Sequence, residues 1–310
     1  MNHIPVLLKE SVNSLNIKDN GIYIDATYGC GGHTRLILSK LGNYGKIYAI
    51  DCDIKTILKY KILDNRIIYI NNNFSNLKTI LNKKIGKIDG ILFDLGISSF
   101  QLNNSKRGFS YMFNGPLDMR INQKNKITAY NLLKNINEKK LSEILKIYGE
   151  EKYHKKIAYN IKKNMLNNKL HNTKDLSYSI CSSIPKNNKF KHPAKRSFQA
   201  IRIFLNQEIE ELKKALNISL ELLKKNGIIA TISFHSIEDR IIKYFMKKYS
   251  SLNKQNIHNK LPLTEKEINN FYYKNNKIKL KIINRIFPSK KEIYENPRSR
   301  SAILRIAQKI

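Results

Sequence analysis

Cysteine is scarce. The chain has 310 residues and three cysteines, Cys30, Cys52 and Cys181, scattered and odd in number. No Cys-x-x-Cys pair exists, so neither a disulfide frame nor a metal site is expected. No apolar run approaches the ~20 residues of a membrane span. The opening Met1-Asn2-His3-Ile4-Pro5 lacks the basic and apolar regions of a secretory leader. Together these absences lead us to expect a cytoplasmic protein with no membrane partner. Acidic residues are also few, 24 Asp and Glu against 57 Lys and Arg, for a net charge of +33. So basic a chain points to nucleic acid. It is also crowded with Lys, Asn and Ile, as an AT-rich genome would produce, so part of the charge belongs to solvated surface. The 41% hydrophobic content supports a real core, and the length fits one large or two medium domains.

One stretch organises the rest, Gly21 to His33. Ile22 to Ala26 reads as a buried strand, Gly29, Gly31 and Gly32 as a turn, and Thr34 to Leu41 as a helix. Glycine reaches φ > 0 and lets a ligand approach the backbone, and a helix start presents free N–H groups. The spacing is Gly-x-Gly-Gly, so the dinucleotide fingerprint Gly-x-Gly-x-x-Gly is absent, which disfavours a nicotinamide oxidoreductase. Asp25 near the strand end suits a ligand with a cationic or hydrogen-bond-donating tail. By itself the loop is a weak signal, about as common in a plain α/β turn.

Four strand units follow one another in about 75 residues, as in a doubly wound α/β sheet. After a lead-in with a short helix, Leu8 to Leu15, and the glycine corner, Lys46 to Asp51 is the second strand. Asp51 sits where such sheets place a carboxylate for ribose hydroxyls, and Asp53 reads as the cap of the next helix. Arg66 to Ile70 is a third strand, followed by Phe74, either an adenine platform or a core residue. Lys87 to Leu95 is a fourth strand with Asp94 at its carboxyl end. The strand rhythm then stops, and ordered loop and helices (142–147, 153–165 and 176–183) suggest an inserted helical lobe. Ser197 to Lys225 reads as one long helix closed by Lys224, Lys225 and Gly227. A fifth strand, Gly227 to Phe234, leads to Ser233, His235 and Ser236, and Ile237 to Tyr249 is helical. The Lys-rich stretch Leu252 to Lys277 reads as flexible. Ile278 to Ile286 and Ser301 to Ile306 read as a closing antiparallel ribbon.

A glycine corner with Asp25, an acidic second-strand end, Asp94 and an antiparallel ending describe an S-adenosylmethionine-dependent methyltransferase. Longer blocks narrow this: Asp25-Ala-Thr-Tyr-Gly-Cys-Gly-Gly-His33, Asp94-Leu-Gly-Ile-Ser-Ser99, Arg107-Gly-Phe-Ser110, Gly115-Pro-Leu-Asp-Met-Arg120, Arg196-Ser-Phe-Gln-Ala-Ile-Arg202, Ser233-Phe-His-Ser-Ile-Glu-Asp-Arg240 and Asn296-Pro-Arg-Ser-Arg-Ser301. Across essentially the whole chain they resemble the bacterial 16S ribosomal RNA cytosine-N4 methyltransferase family, RsmH or MraW. Cys30 departs from it, standing where the family often has a basic residue.

The resemblance implies a class I, Rossmann-like methyltransferase fold over 1–105 and 197–310, with an inserted helical RNA-recognition domain over 106–196. It implies methylation of N4 of a cytidine in the decoding region of 16S rRNA in the small ribosomal subunit. It further implies S-adenosyl-L-methionine contacts at Gly31, Gly32, His33, Asp51, Phe74, Asp94 and Gln101. The Asp/Asn-Pro-Pro-aromatic run of many amino-methyltransferases is absent, so His235 and Ser98 become the candidates to hold the base. A strand-end histidine bonded to backbone is the plainer reading of His235. Arg107, Arg120, Arg196 and Arg202, near the lobe's junctions, are expected to clamp RNA. A non-catalytic rRNA-binding assembly factor that keeps the fold is the alternative.

Overall fold

The computed structural model describes residues 4–185, 192–250 and 279–310; the expected flexible stretch Leu252 to Lys277 lies outside them, as do His3 and Ile278. The chain divides into two compact units, one of residues 1–96 and 210–310, the other of residues 97–209. The sequence led us to expect the inserted lobe over 106–196.

In the first unit, helix α1 (Leu8–Ser14) precedes strand β1 (Ile22–Asp25), helix α2 (Gly32–Leu38), β2 (Lys46–Asp51), α3 (Ile54–Tyr60), β3 (Ile67–Asn71), α4 (Leu77–Ile80) and β4 (Ile88–Asp94). The runs Tyr-Ile-Asp of β1 and Ile-Asp-Gly-Ile-Leu-Phe of β4 are buried without alternation. That is the signature of parallel strands covered on both faces. β1 pairs in parallel with β2 on one side and β4 on the other. The chain winds outward in both directions from that point, and the carboxyl edge there is where open sheets bind ligands. Register then fixes the carboxylates. Asp25 lies opposite Ala49 and Leu92, and Asp51 opposite Asn71. Hence Asp25, Asp51 and Asp94 end three neighbouring strands on one edge.

At the opposite end of β4, Asp89 is buried and accepts a hydrogen bond from Ile22 N at 3.0 Å, beside the ammonium groups of Lys18 and Lys224. Burial alone would raise its carboxyl. Lys224, the Ile22 N–H and Lys18 outweigh that and hold it below the usual range.

The second unit contains α5 (Ser99–Asn103), α6 (Ala129–Asn135), α7 (Glu138–Gly149), α8 (His154–Leu166), α9 (Thr173–Cys181) and α10 (Ala194–Leu205). Thr128, Asn137 and Asn172 cap α6, α7 and α9 through their side chains, each satisfying N–H groups that the helix leaves open. The apolar faces of these helices meet in a core of Leu133, Leu141, Ile144, Ile157, Ile161 and Leu176.

The expected single helix over Ser197 to Lys225 is two. α10 ends at Leu205, and α11 (Glu208–Leu222) begins after Asn206 and Gln207. Gln207 has φ 53°, the left-handed turn that stops a helix. Asn206 fixes the break by donating to Met119 O at 2.8 Å and accepting from Ile121 N at 2.7 Å. The apolar spacing runs through Ile201, Leu205, Ile209 and Leu212 as if nothing intervened, so periodicity could not reveal it. The expected closing signal is displaced too. Lys224, Lys225 and Gly227 lie inside β5 (Leu223–Ser233), and the residue with φ > 0 is Asn226. Helix α12 (Ser236–Ser250), β6 (Leu280–Ile286), α13 (Lys290–Glu295) and β7 (Ile303–Lys309) complete the first unit. β5 pairs in parallel with β4, and β7 lies antiparallel between β5 and β6. The sheet order is β3-β2-β1-β4-β5-β7-β6.

Gln207→Gly is expected to stabilise the protein by about 0.5–1 kcal/mol, because glycine enters the left-handed region without the Cβ penalty. A rise in the thermal midpoint is the measurement; Gln207→Val is expected to lower it.

Candidate active site

The glycine corner is shaped by two left-handed turns and two close approaches. Gly29 and Gly31 have φ of 52° and 73°. A Cβ on Gly31 would fall 2.7–2.9 Å from the Tyr28 ring, and one on Gly32 would fall 2.2 Å from Pro5 Cγ. Pro5 thus packs directly on Gly32. Residues 4–7 form a strap along the corner. Val6 O accepts from His33 Nε2 at 3.3 Å, and Leu7 N donates to Glu292 Oε1 at 2.7 Å. Asn296 Nδ2 donates to Ile4 O at 3.1 Å. The lead-in is therefore held by the corner on one side and by α13 and its following loop on the other.

Behind the corner, the strand-end carboxylates organise the turns. Asp51 accepts from Gly29 N at 2.9 Å and Asp53 N at 2.8 Å. Asp53, in turn, accepts from Lys55 N and caps α3 as expected. Asp25 accepts from Thr34 Oγ1 at 2.7 Å and Thr27 N at 3.2 Å. Thr27 Oγ1 accepts from Asp94 N at 2.6 Å. His33 Nδ1 stands 3.7 Å from Asp94 Oδ2, an electrostatic contact. Phe74 meets the buried Phe93 edge-on at 5.8 Å and is itself half-buried, so both of its expected roles are geometrically open.

These acids sit uncomfortably. Burial pushes Asp25 up to about 6, against the opposing hydrogen bonds of Thr34 and Thr27. Burial does the same to Asp51, to about 6, against the N–H groups of Asp53 and Gly29. Burial holds Asp94 well above the usual carboxylate range, and the nearby charges of Asp25 and Glu238 add to it. Asp94 Oδ1 is buried and accepts no hydrogen bond among the described residues. Such an edge suits a ligand that brings a positive charge and hydrogen-bond donors.

The glycine corner, His33, Asp51, Asp94 and His235 all belong to the first unit. His235 Nδ1 accepts from Glu238 N at 3.4 Å, and His235 Nε2 stands 3.1 Å from Glu238 Oε1. Glu238 Oε2 accepts from Phe234 N at 3.0 Å. His235 thus holds Glu238 at the start of α12, close to the plainer of its two readings.

Ser98, Gln101 and the four arginines lie in the other unit. Ser98 Oγ accepts from Gln101 N at 3.2 Å, and Gln101 Oε1 accepts from Ser98 N at 3.1 Å, a capping box on α5. The Ser-x-x-Gln spacing was a legible signal for that role. Arg107 is 3% exposed, and its guanidinium donates to the carbonyls of Arg120 and Ile121, both at 2.9 Å. Arg120 grips Asp118 at 2.7 Å, and Arg202 grips Glu208 at 2.8 Å. All three are engaged within their own unit, and Arg196, whose side chain is exposed, donates to Glu150 O at 3.3 Å.

A family model described as the MraW methylase family matches residues 1–310. The chain belongs to that family. It is 50% identical over 309 residues to "Ribosomal RNA small subunit methyltransferase H" of Buchnera aphidicola subsp. Acyrthosiphon pisum (strain Tuc7), covering 99% of this chain and 97% of the relative. It is 52% identical over 311 residues to the protein of the same name from Buchnera aphidicola subsp. Cinara cedri, covering 99% of both. Among solved structures, an rRNA methylase from Streptococcus thermophilus aligns over 100% of this chain and 99% of its own at 12% identity, with a TM-score of 0.42, too distant to argue from. For a MraW methylase the acidic strand edge has a direct meaning, since the cofactor is S-adenosylmethionine. Its sulfonium and amino groups are cations and its ribose hydroxyls are donors. The sequence reading gave no site role to Thr27, Thr34, Glu238 or Glu292; each acts through side-chain contacts that no spacing rule encodes.

Asp51→Ala is expected to weaken S-adenosylmethionine binding by ~1.5–3 kcal/mol, read by calorimetry, with the fold retained. pH should act with opposite signs on fold and binding. Because Asp25 and Asp51 are raised to about 6, their contribution to the stability of the free protein is complete below the ordinary value and is lost as pH rises through 6. A cationic ligand favours the ionised acids, so binding releases protons and tightens between about pH 5 and pH 7. Thermal shifts with and without cofactor across that range are expected to diverge.

Proposed function

We propose that this MraW methylase transfers the methyl group of S-adenosylmethionine to the exocyclic N4 of a cytidine in the decoding region of 16S rRNA, in the cytoplasm. The observation that carries the reading is the unpartnered Asp94 Oδ1 at a shared carboxylate edge, in a chain half identical to proteins named small-subunit rRNA methyltransferases. A non-catalytic assembly factor would have no use for buried carboxylates held ready at this edge. The basic unit over 97–209 serves RNA recognition in this reading, with Arg196 as its exposed junction cation.

When bound, S-adenosylmethionine supplies an electrophilic methyl group on a sulfonium. The chain supplies position, which alone is worth several orders of magnitude. Gly31 and Gly32 shape the corner and the strap over it, and His33 ties strap to edge. Asp51 receives ribose hydroxyls and Asp94 the donor-bearing end, and Gln101, anchored in its capping box on α5, is a further candidate for the cofactor. Cytosine N4 is a poor nucleophile because its lone pair is delocalised into the ring. An acceptor for its N–H helps, and the strand-end acids are the available acceptors. His235 contributes as a positioning residue through Glu238, and Ser98, already capping α5, is the lesser of the two base-holding candidates.

Attack by N4 requires no covalent intermediate. Methylation at C5 instead requires a cysteine thiolate adding to C6. Cys30 is buried, and burial pushes its thiol up, away from the thiolate. Cys52 follows Asp51 on the ribose side, and Cys181 is partly buried against the helical core of the other unit. A variant carrying Cys30→Ala, Cys52→Ser and Cys181→Ala is therefore expected to remain active on small-subunit RNA. Nucleoside mass spectrometry is expected to find the label on N4. A folded, cofactor-binding but dead variant, or label on C5, would overturn the mechanism.

A further inference from the structure

The loop from Gly108 to Pro116 combines a tightly fastened backbone with apolar side chains in water. Phe109 is buried in the helical core. Tyr111 stacks on His192 at 4.6 Å and meets the edge of Phe198 at 5.9 Å. The next two side chains turn the other way, with Met112 69% and Phe113 52% exposed. Nothing about their backbone is loose. Ser110 Oγ accepts from Met112 N at 3.1 Å and Phe113 N at 3.2 Å. Thr173 Oγ1 donates to Phe113 O at 2.7 Å and accepts from Gly115 N at 3.0 Å. Thr173 N closes the circuit by donating to Gly115 O at 2.9 Å. A Cβ on Gly115 would fall 1.9 Å from Ser105 O, so the loop lies directly on the turn before it.

Folding gains nothing by holding adjacent Met and Phe side chains in solvent on a rigid loop. Loops fixed by a scaffold are where binding residues concentrate, and a pre-ordered aromatic loses little freedom on contact. The partner's chemistry follows from the surroundings. Between Ile97 and Ile209 basic residues outnumber acidic ones about three to one, which attracts a polyanion. Unpaired bases of RNA stack on exposed aromatic faces whatever their identity. We infer that the tip Met112–Phe113 is a stacking platform for an unpaired base of the RNA substrate. The exposed amide of Asn114 lies next in the chain, able to donate and accept at a base edge. This inference rests on the RNA methyltransferase reading and adds a contact surface to it.

The chain contains no tryptophan, so Phe113→Trp creates a single fluorescent reporter at the tip. Its emission is expected to be quenched by a single-stranded RNA of about 12 nucleotides, and not by an abasic strand of the same length. Phe113→Ala is expected to raise KM for small ribosomal subunits about tenfold, with kcat, cofactor affinity and thermal midpoint unchanged, and Phe113→Tyr to restore it. Equal quenching by the abasic strand, a response only to RNA-free ribosomal protein, or an unchanged KM for Phe113→Ala would each overturn the platform. The parent chain assayed alongside separates the two readings. Failure of the parent to methylate small subunits counts against the function itself, whereas an active parent with an unaffected Phe113→Ala counts against the platform alone.

Discussion

Parallel pairing in register is the constraint on which the site depends. Because β1, β2 and β4 align their carboxyl ends, Asp25, Asp51 and Asp94 arrive at one edge whatever the intervening loops do. Like charges brought together in a buried place oppose the fold. The structure tolerates them by directing backbone N–H groups and threonine hydroxyls at two of them and leaving the third raised and incompletely satisfied. A ligand carrying positive charge relieves that opposition, so recognition is built into the sheet before any side chain touches substrate.

Much of this was legible in the sequence because it is encoded locally. β2 spans the residues expected, Lys46 to Asp51, and β4 differs from expectation by one residue at each end, because unbroken apolar runs ending in Asp leave little room for another reading. The closing ribbon, the cap at Asp53 and α12 were similarly readable. What escaped depended on contacts between distant segments. Nothing near Gln207 announces a helix break, which is set by Asn206 reaching Met119 and Ile121. The arginines illustrate the same point. Their charge suggested RNA, but Asp118, Glu208 and a pair of backbone carbonyls had claims on them that composition cannot show. At Gly32 the fold adds a close neighbour that spacing does not encode, Pro5, while the left-handed turns fall on Gly29 and Gly31.

The two units solve different problems with different materials. The first uses buried sheet and left-handed glycine turns to fix a few acids at one edge. The second is assembled from capped helices whose cores are ordinary and whose surfaces are cationic, a format that accommodates an irregular polyanion.

The strap over the glycine corner also has a history in time. Its partners Glu292 and Asn296 lie 285 and 292 residues further along the chain than Leu7 and Ile4. During synthesis the corner emerges among the first residues and its covering contacts among the last. Contacts of such separation close late, so for nearly the whole of translation the strap is held only by its local contacts to His33 and Gly32. A chain truncated shortly before α13 would carry every strand-end acid and only the nearer of the strap's two fastenings.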